Sequence, residues 1–533
     1  MSAIIQGAAL VFLGWSCFVF CVQLVGIFKI FRTYTAPPVK PVSPSLREDD
    51  VPHITVIRPV KGVDAGLYEC LASTFALDYP RTKLSISLCV ASIADPAYPV
   101  LQQLLADFPG FDANIFVEEN DPLLHGPEGH INNLGPNPKV RNISRAYREA
   151  KGDAIWVVDC NIWTAKGAAG RMVDRLYGIQ PGGNRAKPYK FVHQLPLVVD
   201  IEASRTEEGQ SLLPTNEAKS NEPTSILDYG GRLEEMFMAT THAKFYSAIN
   251  TVGIAPCIVG KSNMFRKSHL DRFTDPLQNP NLTAEDMARG NGNRGVDFFS
   301  SSICEDHLIG DLIFRSSAPG FRNHGLVFGE VVIQPMAGMS VAAYVARRVR
   351  WLRVRKWTVL AATLIEPGVE SLLCCLYFSF ALTTLSWFHE KLGLPQTWCA
   401  MAGIWGFMVT AWMVVDRLLS SKLHKCQGIE VDGDTPPFAR GMGVSRRGGL
   451  KQRPFLEWLS AWLGRELLAL PIWTWAVLLG TTVAWRGKQF RVRMDMTVVE
   501  IGQTGGRTSS QVIGSATPKG SSSPRSRSKD RLD

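Results

Sequence analysis

Short apolar runs that close on Pro, Gly or Asp alternate with stretches of helical periodicity between residues 51 and 345. The runs are HITVIRPVKGVD, KLSISLCVASIADP and GDAIWVVDCNI, and helix-compatible stretches cover 65–77, 98–107 and 140–151. Continuous apolar strands interleaved with helices predict an α/β domain whose mainly parallel sheet is covered on both faces. Such sheets bind ligands at the carboxyl ends of their strands, so the polar residues closing each run are candidate site residues. Two inserts, 203–225 and 276–297, read as surface loops.

Longer apolar stretches flank this block. Residues 1–28 carry no charge, and Lys29 and Arg32 follow. That is too long for a signal-peptide core, so 1–32 is expected to be a retained spanning helix. Cations after it and none before it orient the downstream block, 51–357, toward the cytosol. Pro37, Pro38, Pro41 and Pro44 stiffen the linker 33–50 between them. Stretches 371–388 and 392–415 predict a transmembrane hairpin within 358–415, followed by a basic polar loop, 416–454.

Segment 455–493 combines two expectations. In FLEWLSAWLGRE, Phe455, Trp458, Leu459, Trp462 and Leu463 share one helical face. That is the pattern of a helix lying in the membrane interface, with an amphipathic core helix as the alternative. The stretch 467–485 is then expected to span or, through Pro471, to re-enter. A full crossing would export the cationic WRGKQFRVR, against the charge rule. The tail 494–533 is Ser/Gly/Arg-rich beyond 502 and reads as disordered.

Composition narrows the class. The 533 residues allow two or three domains, and a formal charge of +9 suits a membrane surface or a small polyanion. A nucleic-acid protein would spread basic residues among aromatics throughout the chain, which this one does not. Eleven scattered cysteines form no CxxC pair or zinc spacing, and several lie in apolar segments, so free thiols in a reducing compartment are expected. The sequons at Asn142 and Asn281 accept glycans only in a lumen, and an N-glycan on either would overturn the cytosolic orientation.

Three acids close elements of the α/β block: Asp95 after the strand 84–91, Asp159 ending AIWVVD, and Asp306 beside Glu305 at a helix start. A lone aspartate after a strand is most often a cap or turn former. Here NPKVRN, 137–142, and the cationic RRVRWLRVRK, 347–356, accompany the acids. Acids can hold a divalent cation or accept a proton, while Lys and Arg neutralise phosphates. Together they suit transfer of a group away from a nucleoside diphosphate. Arg347, Arg350 and Trp351 share a helical face, a spacing that a plain membrane anchor does not require.

The ordered set RPVKGVD, ADPA, NPKVRNI, VVDCNI, FVHQLP, HAKFYSA, CEDHL, RRVRW and WRGKQFR resembles the ceramide glucosyltransferase family from the first helix to about residue 493. The family pattern of three aspartates followed by (Q/R)xxRW falls on Asp95, Asp159, Asp306 and Arg347–Trp351. The resemblance implies a glycosyltransferase-A (Rossmann-like) domain combined with helical transmembrane segments. It implies inverting transfer of glucose from UDP-glucose to the primary hydroxyl of ceramide, by a multi-pass protein of the Golgi or ER. Asp95, with Asp64 as a weaker candidate, would contact the nucleotide, and Asp159 would ligate Mg²⁺ or Mn²⁺ at the pyrophosphate. The DxD position reads Asp159-Cys160-Asn161, with one carboxylate. Asp306 would be the general base, and Arg347, Arg350 and Trp351 would line the acceptor and pyrophosphate end. Lys139 is a phosphate contact or a solvated lysine, and His193 an acceptor contact or a packed histidine. Competing readings are a processive β-glycan synthase, a dolichyl-phosphate sugar synthase, and a non-catalytic nucleotide-sugar-binding protein or transporter.

Overall fold

Strands with all positions apolar or nearly so stack side by side because both faces are covered, and the apolar runs at the start of the block do this. The computed structural model describes residues 3–125, 134–201, 229–444 and 447–501. Strands β1 (Ile54–Pro59) and β2 (Leu84–Val90) are buried at every position. They join β3 (Asp112–Val117), β4 (Ala154–Val158), β5 (Tyr189–Asp200), β6 (Ser262–Arg266) and β7 (Arg322–Met336) in one sheet of order β3-β2-β1-β4-β6-β5-β7. All neighbours are parallel except β6, which runs against both β4 and β5. The carboxyl ends of β1, β2 and β4 therefore lie along one edge. The turn entering β6 arrives at that same edge from the opposite direction.

Among the described residues, two helices are long and apolar enough to cross a membrane, Ala3–Thr33 and Trp398–His424, and a pair bent by 74°, Leu360–Val369 with Ser371–Thr384, makes a third if counted as one span. Their packing on the α/β block is specific. A Cβ added at Gly26 would lie 2.1 Å from the Lys244 carbonyl oxygen, so only glycine lets the first helix approach the Ala243–Val252 helix this closely. Lys244, itself fully buried, donates to Asp416 at 2.6 Å, and Asp416 also accepts from Trp462 Nε1 at 3.0 Å. That node ties together the α/β block, the Trp398–His424 span and the Phe455–Trp473 helix. All eleven cysteines are free.

Several sequence expectations need correction. Residues 467–485 do not form a further apolar span: they complete the Phe455–Trp473 helix, pass through a π-helical turn at Thr474–Leu478, and enter strand β8 (Thr482–Trp485). β8, β9 (Lys488–Val492) and β10 (Val498–Ile501) make a small antiparallel sheet. Its apolar face packs on Ile303, Val354 and Trp357, so the cationic hairpin sits against the α/β block rather than beyond a bilayer. Residues 498–501, at the start of the tail expected to be mostly disordered, thus pair in β10, and residues 502–533 lie outside the described residues.

The interfacial face is also different from the expected one. Trp458 and Trp462 turn inward, 3% and 1% exposed, while Leu456, Leu463, Leu467 and Leu470 face outward. Trp462 finds an acceptor inside, Asp416, and Trp458 stacks on the Trp462 ring; plain leucines need no polar partner.

The loop 416–454 is not a free basic loop. Its first residues belong to the Trp398–His424 helix, and Ile429, Phe438 and Met442 are buried in the core. Arg171 donates Nη2 bonds of 3.0 Å to both Glu330 and Glu430, fastening the strap. The insert 276–297 carries a capped helix, Ala284–Gly290, and reaches into a 3₁₀ turn whose Val296, Phe298 and Phe299 are core residues. The insert 203–225 lies outside the described residues.

Candidate active site

The loops after β1, β2 and β4 carry the expected acids to one edge. Asp95 Oδ1 accepts the Gly62 and Ala97 N–H groups at 2.9 Å each, tying the β2 loop to the β1 loop. Its Oδ2 has no protein donor among the described residues. Asp64 is exposed and accepts from Asn161 Nδ2 at 2.9 Å, which brings the β1 loop to the Asp159-Cys160-Asn161 segment. Asp64, Asp95 and Asp159 thus belong to one cluster of linked loops.

Asp159 is held by two ammonium groups. Lys139 Nζ lies 3.0 Å from Oδ1 and Lys261 Nζ 3.0 Å from Oδ2. Burial works to raise the Asp159 pKa, but the two lysines outweigh it and hold the carboxyl well below the usual range. Lys139 also reaches Glu305 at 3.1 Å. Burial opposes its charge, yet the carboxylates of Asp159, Glu305 and Asp306 together raise its pKa. Lys139 is therefore a buried structural cation of the site, not a solvated surface lysine.

The NPK motif acquires a physical role. Asn137 caps the Pro138–Arg148 helix through bonds from the Lys139 and Val140 N–H groups, and its Nδ2 donates to Glu305 at 3.0 Å. One side chain thus sets both the lysine and the acid opposite it.

Glu305 and Asp306 open the helix Glu305–Arg315, where the helix dipole favours negative charge. Asp306 packs on the turn entering β6: a Cβ at Gly260 would lie 2.7 Å from its carboxylate. The same turn supplies Lys261 to Asp159, so Gly260-Lys261 brings the two distant aspartates into one cleft. Burial raises the Asp306 pKa; Lys139 opposes the rise and the nearby Asp159 charge adds to it. A carboxylate of raised pKa inside a cleft is a stronger proton acceptor than a free one.

The Val341–Arg355 helix closes the site. Arg347 Nε donates to buried Glu234 at 2.9 Å, and its guanidinium stacks 4.9 Å from the Trp351 ring centre. Arg350 has no ion pair among the described residues. Burial, with Arg347 and Arg486 close by, pushes its pKa down to about 10, so it stays charged at neutral pH. Arg486 is at the tip of the β8–β9 hairpin, where its backbone carbonyl accepts from Lys61.

His193 is placed differently from the acceptor contact expected. It is fully buried in β5, bonded through Nδ1 to the Tyr246 hydroxyl and stacked on His324. It presents no surface to a substrate. Its packed reading is the one the fold adopts.

Among the described residues the site offers a divalent cation the one expected carboxylate, Asp159. No three His, Cys, Asp or Glu side chains converge on a cation position among the described residues. Asp159, the expected ligand, already has each oxygen in an ion pair. What the edge offers a diphosphate is fixed positive charge. Lys261 and Glu234 escaped the sequence reading, which had Glu305 only as the neighbour of Asp306 and Arg486 only within WRGKQFR. Only VGKSN, placing a lysine just before a strand, and the cationic hairpin gave any signal.

Acids and cations at the strand ends of this mixed sheet, backed by apolar helices, define a membrane-associated glycosyltransferase of the A type. The family model "Glycosyl transferase family 21" matches residues 18–202 and 225–498. The chain belongs to that family. The ceramide glucosyltransferase of Pyricularia oryzae is 56% identical over 522 residues, 97% of this chain and 100% of its own. That of Gibberella zeae is 50% identical over 494 residues, covering 90% and 91%, and that of Candida albicans 32% over 552, covering 92% and 97%. Among solved structures, the Pyrobaculum calidifontis mannosyltransferase PcManGT with GDP-Man and Mn²⁺ aligns with 79% of this chain and 98% of its own, at 14% identity and a TM-score of 0.38.

Proposed function

We propose that this chain transfers glucose from UDP-glucose to the primary hydroxyl of ceramide with inversion, at the cytosolic face of a Golgi or ER membrane. The names of its relatives support the acceptor and the sugar; they do not favour a glycan synthase or a dolichyl-phosphate enzyme. The observation that carries the chemistry is the meeting of Asp306 with the Lys139–Asp159–Lys261 cluster in one cleft.

The ceramide hydroxyl oxygen attacks C1 of the glucosyl group from the face opposite UDP. The new O–C1 bond forms as the C1–O bond to the diphosphate breaks, and UDP leaves with the electron pair. The hydroxyl proton passes to Asp306. Lys139, Lys261 and Arg350 stabilise the charge growing on the diphosphate, where fixed cations in a water-poor cleft act most strongly. Asp95, through its open Oδ2, binds the uridine end.

Purified full-length protein in lipid nanodiscs, given ceramide with UDP-glucose or UDP-galactose, tests this. β-Glucosylceramide, identified by mass and by the anomeric proton coupling, is the expected product, and turnover persists with a chelator. Failure to form it refutes the acceptor assignment; loss of turnover on chelation refutes the lysine account of the leaving group.

A further inference from the structure

A cavity of about 340 Å³ lies inside the bend between Leu360–Val369 and Ser371–Thr384, closed by the Val341–Arg355 and Phe455–Trp473 helices. The size is that of a small-molecule site. Leu372 and Leu373 line it from an apolar segment, and the outward leucines Leu467 and Leu470 stand at its rim, so it opens at the level of the lipid.

Five charged side chains line it, and four are paired. Arg465 bonds Glu370 at 2.8 Å and also pairs with Glu466, and Glu366 accepts from Arg355. Arg348 has neither an ion pair nor a hydrogen bond among the described residues, although it is only 7% exposed. Its guanidinium lies flat on the Phe237 ring, 3.5 Å from the centre, with Trp351 5.3 Å away. With no acceptor among the described residues, its N–H groups are left to donate to a molecule in the cavity.

We infer that this cavity holds the acceptor lipid, with a chain along the leucine-lined wall and an uncharged amide or hydroxyl oxygen on Arg348. This inference rests on the function proposed above. With Arg355 on Glu366, three carboxylates meet three guanidiniums, so no net positive charge is left to draw a phosphate and a neutral headgroup is suited. The helix that carries Arg348 also carries Arg347 and Arg350, so a headgroup held here lies beside the cleft.

Two measurements on the full chain in phosphatidylcholine nanodiscs test it. In the first, a diazirine-bearing long-chain ceramide is photo-crosslinked and mapped by mass spectrometry. Labelling in 348–352 and 465–473, displaced by unlabelled ceramide and not by added phosphatidylcholine, is expected. Labelling elsewhere, or equal displacement by phosphatidylcholine, overturns the inference. In the second, Ala469→Phe narrows the cavity. The KM for long-chain ceramide should rise about tenfold, with less effect on a hexanoyl ceramide and none on the KM for UDP-glucose. An unchanged KM for both ceramides in a folded variant also overturns it. Labelling at the cavity in a parent protein that forms no glucosylceramide would sink the proposed reaction and leave the lipid site standing.

Discussion

Replacing Asp416 by Leu leaves the Lys244 ammonium and the Trp462 indole without their shared acceptor in a place water does not reach. Both Lys244 and Asp416 are 0% exposed, and their contact is 2.6 Å. Stranding one charge of such a pair costs about 3–5 kcal/mol, and the orphaned indole N–H about 1 kcal/mol more. At roughly 2 °C per kcal/mol for a large domain, the melting temperature should fall by about 8–12 °C. The double variant Lys244→Met, Asp416→Leu removes both charges and should recover most of the loss, leaving roughly the indole cost. Fluorescence-detected size exclusion after graded heating of the purified protein in detergent reads the effect. A single variant that melts within about 2 °C of the parent, or a double variant as unstable as the single, would refute the view that this pair joins the spans to the α/β block.

The other predictions concern the site and its compartment. Asp306→Asn should leave UDP-glucose binding by calorimetry nearly intact while lowering kcat by about 10²–10⁴-fold; ordinary turnover would remove Asp306 as the base. Because the base acts deprotonated and burial raises its pKa, kcat should fall as pH drops through a value above the ordinary carboxylate range of about 4. A rate that is flat down to that range would contradict this. Arg350→Lys keeps the charge but loses the guanidinium fork, so turnover should drop sharply with the protein still folded; full activity would reduce the cationic helix to a membrane anchor. Peptide mapping should find no glycan on Asn281, which is exposed. Asn142 cannot report on the compartment once folded, because its amide donates to the Val60 and Cys89 carbonyls in the core.

The sequence by itself determined the elements whose causes are local. Doubly buried strands read as unbroken apolar runs, so β1, β2 and β4 and the acids that follow them could be located. The first helix, free of charge through Phe28, and the Trp398–His424 span could be found by length and apolarity alone. The spacing of Arg347, Arg350 and Trp351 told of a shared face because a helix fixes it.

What the tertiary structure alone decided depends on groups far apart in the chain. The turn before β6 sets Lys261 on Asp159 and Gly260 on Asp306, bringing side chains from distant parts of the chain together. Trp458 and Trp462 read as lipid-facing from periodicity, yet a buried aspartate on another helix accepts from Trp462, and Trp458 stacks on that ring inside the protein. His193 read as an acceptor contact or a packed histidine, and the packing of β5 under Tyr246 and His324 decided for the second. The stretch 467–485 is apolar enough to suggest a membrane, but it is helical to Leu478 and its last four residues pair as β8 with β9 of the cationic segment that follows. Hydrophobicity says that a segment leaves water; only the partners it meets say whether it enters lipid or protein.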